Sequence, residues 1–149
     1  MSEIFVDADA CPVKEEIYRV AKRYGYAVTL VSNAMMRIPQ AEWLKLIVVD
    51  GRLDAADDWI ADRVAENDIV ISADIPLAAR CLEKGAVVLD MRGGVFTDDR
   101  IGEALASREI LGQLRDRGAI AGGPAPFEQR DRSRFLQRLD QAIQAMRRK

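Results

Sequence analysis

Aspartate is the residue type that defines the chemistry open to this chain. Asp7 and Asp9 follow the short apolar run Ile4-Phe5-Val6, Asp54, Asp57 and Asp58 lie together in DAADDWI, and Asp74 follows Ile69-Val70-Ile71-Ser72. Carboxylates gathered at one place repel, and a pair ~4 Å apart costs roughly 4 kcal/mol at an effective dielectric near 20. A fold tolerates this when a cation sits between them, when one is protonated, or when water separates them. Ligands that are all oxygen favour Mg²⁺ or Mn²⁺ over zinc. Such an ion can activate a water and neutralise a phosphoryl group in transit. One at a time, the aspartates have plainer roles: Asp9, Asp54 and Asp74 as helix caps, and Asp57 facing water. Their recurrence at corresponding ends of neighbouring elements favours a site.

The chain has no histidine among its 149 residues. That removes Ser-His-Asp and Cys-His catalysis, histidine zinc sites and a histidine general base. Cys11 and Cys81 are too few for a disulfide framework or a four-thiolate zinc site, and they fit a reducing compartment. MSEIFVDADACP carries acids where a signal peptide carries bases. No apolar run approaches the roughly 20 residues that span a bilayer. The expectation is a cytoplasmic protein with no membrane partner. The net charge of −2 hides an uneven distribution, with acids crowding residues 50–74 and Arg130, Arg132, Arg134, Arg138, Arg147, Arg148 and Lys149 near the end. A basic tail can follow a polyanion, although a solvated helix face is the commoner case.

The elements that must position these groups alternate. Ile4–Val6, Ala27–Val31, Leu46–Val49, Ile69–Ile71 and Val87–Leu89 read as strands. Helices are predicted from Pro12 to a stop at Gly25, from Asp54 with Ala56, Trp59, Ile60 and Val64 inward, from Ile75 to Glu83 before Gly85, and from Ile101 to Arg117. Gly122-Gly123-Pro124-Ala125-Pro126 reads as a link. Beyond it, Phe135, Leu136, Leu139, Ile143 and Met146 form an apolar stripe. Strand-helix-strand repetition with continuous apolar strands predicts an α/β fold, a parallel sheet in a three-layer α/β/α sandwich. Residues 1–149 are expected to form one domain, with a basic helix at about 127–148 docked on it. Ligands of such sheets bind beyond the carboxyl ends of the strands, where the strand order reverses. Asp54 and Asp58, at i and i+4, are expected to share a helix face there.

The segments VDADACPVKEEIYRVAKR, DAADDWIADRV, ISADIPLAARCLEKGAVVLD, IGEAL and GGPAPFEQRDRSRFLQRLD resemble the YaiI/YqxD family of uncharacterised bacterial proteins, over nearly the whole chain. That family is in turn similar to PIN-like and NYN-like metal-dependent ribonucleases. Those carry an aspartate after the first strand, acids on a central helix, and an aspartate in a Ser/Thr-x-Asp step after a later strand. Asp7 matches the first, Asp54 and Asp58 the second, and Ser72 with Asp74 the third. The resemblance implies a PIN-like domain, a Mg²⁺ or Mn²⁺ site and phosphodiester hydrolysis, with RNA as the expected partner. It implies Asp7, Asp58 and Asp74 as catalytic ligands, with Asp9 and Asp54 as further ligands. Lys14, Arg132 and Arg134 are candidate substrate contacts, Ser72 is a candidate contact to the substrate phosphate or to a ligand carboxylate, and Cys11 is a candidate reactive thiol against the default of a buried inert one. The further acid that PIN-like enzymes often carry just after Ser/Thr-x-Asp is replaced here by Ile75-Pro76-Leu77, so that ligand is missing or comes from Asp9 or Asp57.

Two other classes compete. FVDADA resembles the Asp-x-Asp strand end of haloacid-dehalogenase-type phosphatases, with Asp7 as nucleophile and Asp9 as acid/base, but that family's second aspartate after Asp74 is absent. A non-catalytic nucleic-acid-binding module would keep the fold without a complete metal set.

Overall fold

The computed structural model describes residues 2–9, 11–52, 54–116 and 126–148. Five strands, β1 (Glu3–Asp7), β2 (Ala27–Ser32), β3 (Leu44–Val48), β4 (Ile69–Ile71) and β5 (Val87–Leu89), form one sheet in the order β3-β2-β1-β4-β5. All pairings are parallel, with Phe5 facing Thr29 on one side and Val70 on the other. Parallel strands need crossover connections: helices α1 (Lys14–Tyr24), α2 (Ala55–Arg63) and α3 (Ile75–Glu83) link β1 to β2, β3 to β4 and β4 to β5, while residues 33–43 link β2 to β3 without a helix. Helices α4 (Asp98–Asp116) and α5 (Gln129–Arg147) complete the layers.

Strand side chains alternate between faces, so the sheet has two cores. Ile4, Val6, Leu30, Ile69 and Ile71 pack under α1 and α5, against Ile17, Val20, Phe135, Leu139 and Ile143. Phe5, Val31, Val70 and Val88 pack on the other face against α2, α3 and the start of α4, through Ile60, Leu77, Cys81 and Ile101. The three-layer α/β/α sandwich is as the alternating elements predict.

Local signals explain most of the boundaries. Gly25 ends α1 at φ 73°, a left-handed step that glycine takes without strain. Asp74 caps α3, its Oδ1 accepting from Leu77 N at 2.8 Å, with Pro76 in the first turn where its missing N–H costs nothing. Glu128 and Asp131 form a reciprocal capping box at the start of α5. β3 begins at Leu44 rather than Leu46. α4 begins at Asp98 rather than Ile101, because Thr97 Oγ1 accepts from Arg100 N at 3.1 Å and opens the helix earlier. Arg117 and residues 122–125 of the expected link lie outside the described residues.

The turn after β5 fits closely under α5. Gly93 has φ 90°, and a Cβ there would lie 3.1 Å from Arg134 O and 3.0 Å from Arg138 Cγ. Gly93→Ala should therefore cost about 1–2 kcal/mol, from backbone strain and displacement of α5 together. A urea-unfolding midpoint indistinguishable from wild type would refute that account of the turn.

Candidate functional site

The first crossover leaves β1 toward β2 and the later one leaves β4 toward β5, so the strand order reverses between β1 and β4. A crevice opens at the carboxyl ends of strands at such a point. Asp7 ends β1 and Asp74 lies just past β4, which puts both carboxylates on its rim. Ser72, fully buried, spans them: its Oγ donates to Asp7 Oδ2 at 3.1 Å and accepts from Asp74 N at 3.0 Å. The hydroxyl fixes the spacing of the acids and is shielded from solvent, which is the contact to a carboxylate that the sequence allowed for Ser72.

The cleft holds about 460 Å³ and is lined by Asp7, Asp9, Asn33, Gly51, Arg52, Asp54, Ala55, Ala56, Asp57 and Asp74. Asp57 is the acid most affected by its neighbours. Burial, then the charges of Asp74, Asp7 and Asp54, raise its pKa to about 6, and it shares a hydrogen bond with the Asp74 side chain. Burial also lifts Asp7 above the ordinary carboxylate value, partly offset by the Ser72 hydroxyl and reinforced by Asp74 and Asp9. Arg52 is the one cationic side chain lining the cleft among the described residues, and its Nε is held by Asp50 Oδ1 at 3.1 Å.

Asp58 stands elsewhere. Its Oδ1 pairs with Arg80 Nη1 at 2.8 Å and it lines an adjoining hollow with Asp62 and Arg63, across Arg52 and Ala55 from the cleft. The expected i, i+4 face of Asp54 and Asp58 does not form, because Asp54 precedes α2 in a left-handed conformation, φ 70°, and makes no side-chain cap bond. Asp57, one of the two acids the sequence offered for the missing ligand, lines the cleft beside Asp74, in place of its plainer reading as a group facing water.

The remaining candidates divide similarly. Asp9 lines the cleft with both oxygens engaged, Oδ1 by Ser32 Oγ at 2.7 Å and Oδ2 by Asn33 N at 2.9 Å. This ties the loop after β1 to the end of β2 and leaves Asp9 poorly placed as the acid/base of a phosphatase. Lys14 Nζ donates to Cys11 O at 2.9 Å, which closes the loop instead of reaching the cleft. Arg132 points inward, donating from Nη1 to Pro12 O, 3.6 Å from Glu16 Oε1 and over the ring of Phe127. It secures α5 to the start of α1. Arg134 is on the outer side of α5, 3.9 Å from Asp131 Oδ1. Cys11 is buried, and burial raises its thiol pKa, which suppresses the reactive thiolate. Asn33 and Arg52 carried no sequence signal for the cleft, since loops bring them there.

Among the described residues, no three His, Cys, Asp or Glu side chains stand close enough to share a metal ion directly. The donor chemistry nonetheless fits a hard cation. The carboxylates are mutually repelling, the pKa of Asp57 is raised to about 6, and Arg52, the one cation lining the cleft among the described residues, is paired with Asp50. Mg²⁺ keeps several of its waters and needs only one or two carboxylates directly.

The fold and cleft define a parallel α/β/α protein with an acidic crevice at its topological switch point. A family described as "Uncharacterized BCR, YaiI/YqxD family" matches residues 5–145. The chain is 54% identical over 152 residues to a UPF0178 protein of Rhodospirillum centenum, covering 99% of each. It is 51% identical over 147 residues to one of Rhodospirillum rubrum, covering 98% of each. It is 52% identical over 149 residues to one of Parvibaculum lavamentivorans, covering 100% of this chain and 98% of the relative. No solved structure matches. The chain belongs to the YaiI/YqxD (UPF0178) family. None of its helices, among the described residues, is long and apolar enough to cross a membrane.

Proposed function

We propose that this protein is a Mg²⁺- or Mn²⁺-dependent hydrolase of nucleic-acid phosphodiesters, RNA first among them. One observation carries the reading: Asp7, Asp57 and Asp74, from three separate stretches of chain, converge at the β1/β4 switch point with Asp57 protonated up to about pH 6. A bound divalent ion would supply Lewis-acid polarisation of a phosphoryl oxygen and a more acidic water. Asp57 and Asp74, joined by a hydrogen bond, would hold the ion, and Asp7, fixed by Ser72, would reach it through a bound water. Asp54 and Asp9 act from the rim, Asp9 by fixing the Asn33 backbone. Two unpaired cysteines support a reducing, cytoplasmic setting.

The test is calorimetric titration with Mn²⁺, followed by incubation of mixed RNA and DNA with the loaded protein. Metal-dependent cleavage should fall more than roughly 100-fold in an Asp7→Asn, Asp74→Asn double variant. Full activity in that variant would end the proposal. A second reading, a non-catalytic nucleic-acid-binding module, is favoured by the lack of three acids in shared reach of one ion among the described residues. It expects salt-sensitive binding with no metal-dependent turnover.

A further inference from the structure

We infer that the outer face of α5 is a track for a single nucleic-acid strand, built from Arg130, Arg134 and Arg138 and leading toward the acidic cleft. The inference rests on the nucleic-acid reading above and assigns it a binding surface. These arginines are spaced i, i+4, i+8, so they share one side of the helix with about 6 Å of rise between neighbours. That rise is comparable to the step between successive phosphates of an extended strand. All three are exposed, and like charges at i, i+4 disfavour the helix unless something answers them.

Little within the protein answers them. Arg130 Nε lies 2.8 Å from exposed Glu128 Oε2, Arg134 is only loosely paired to Asp131 at 3.9 Å, and Arg138 has no ion pair among the described residues. The two acids within α5 turn inward. Asp131 is buried, accepting from Glu128 N at 2.9 Å and from Arg92 Nη1 at 2.9 Å. Asp140 is taken by Arg23 and Tyr24 of α1. Between the arginines, Ser133, Gln137 and Gln141 are exposed and uncharged. The row runs from the solvent face at Arg130 to the edge of α5, where Arg134 and Arg138 flank the Gly93 turn, and it is basic and polar along its length.

Its direction follows from its anchors. Arg132 bonds Pro12 O, in the loop that leaves Asp7 and Asp9, so the first turn of α5 lies at the acidic end of the sheet. The contact of Tyr24, at the end of α1, with Asp140 shows that α5 then runs away from that end. A strand lying along the arginines is thus led toward the crevice. A membrane surface is the poorer fit, because a helix lying on lipid inserts an apolar face, and that of α5 is already buried through Phe135, Leu139 and Ile143.

The test is fluorescence polarisation with a labelled single-stranded RNA of about 12 nucleotides, in EDTA, between about 50 and 200 mM salt. Arg130→Gln, Arg134→Gln, Arg138→Gln together should weaken binding more than about 10-fold at the low salt and reduce the log–log salt slope by about 2. The triple lysine variant should retain binding, and each single glutamine variant should lower the slope by about 0.7, which guards against a misfolded triple variant. Unchanged affinity and slope in the triple glutamine variant, or binding to anionic phospholipid vesicles with none to RNA, would overturn the inference. Because EDTA removes metal, arginine-dependent binding without any metal-dependent cleavage would uphold the track and fell the hydrolase. Cleavage by a protein whose binding ignores these arginines would do the reverse.

Discussion

Asp57→Asn should make the metal-free protein more stable at pH 7.5, by about 1 kcal/mol, while removing its response to Mn²⁺. The Asp57 carboxyl has a folded-state pKa of about 6 against an ordinary 3.8. Between those values the native protein binds a proton that the unfolded chain releases, so stability falls as pH rises through that window. Above it the penalty is complete, and below about pH 3.5 it vanishes. The full shift corresponds to roughly 3 kcal/mol. Asp57 is only half-buried, and solvent screening reduces this to about 1 kcal/mol. Asparagine keeps a donor for Asp74 without the charge. In saturating Mn²⁺ the order should invert, because a ligand at a hundredfold excess over its Kd stabilises the folded wild type by about 2.7 kcal/mol and the variant hardly at all. Urea unfolding at pH 3.5 and 7.5, with and without Mn²⁺, measures all of this. A variant less stable than wild type at pH 7.5 in EDTA would show that the carboxylates are not in conflict.

Phe135→Ala should be the most damaging single change to the fold, costing about 3–5 kcal/mol. Phe135 is fully buried and is the largest such side chain where α5 meets α1 and the sheet. Against a typical total stability of about 5–15 kcal/mol, that loss threatens the native state itself. The neighbouring Leu136 is only partly buried, and Leu136→Ala should cost well under half as much. Denaturant midpoints followed by far-ultraviolet circular dichroism compare the two. Equal effects would mean that α5 is held by its polar ties and not by its apolar stripe.

The continuous apolar strands were legible because both faces of the sheet are covered, so Ile4-Phe5-Val6 and Ile69-Val70-Ile71 needed no alternation to be recognised. Asp7 and Asp74 were legible for the same reason, each lying directly at a strand end. Asp57 was legible only as an alternative to Asp9, because which acid of DAADDWI faces the cleft depends on where α2 begins. Aspartate is among the few non-glycine residues that enter the left-handed region, but nothing in the segment says which of its aspartates does so. Arg132 was recoverable in principle. It lies three residues before Phe135 and four before Leu136, on the side that the apolar stripe turns inward. By the same spacing Arg130 turns away from the stripe, whereas Arg138, three residues after Phe135, lies at its edge against the Gly93 turn. The binding of Lys14 to the Cys11 carbonyl was not recoverable, since it is a loop geometry.

The clasp between the first helix and the last has a consequence for synthesis. Arg23, Tyr24 and Pro12 find their partners on Asp140 and Arg132 more than a hundred residues later in the chain. As the polypeptide leaves the ribosome, the earliest helix and the sheet face beneath it stay open until α5 has emerged. Until then the nascent protein carries that sticky, unfinished surface, so products cut off before α5 are the species most prone to aggregate and to engage chaperones.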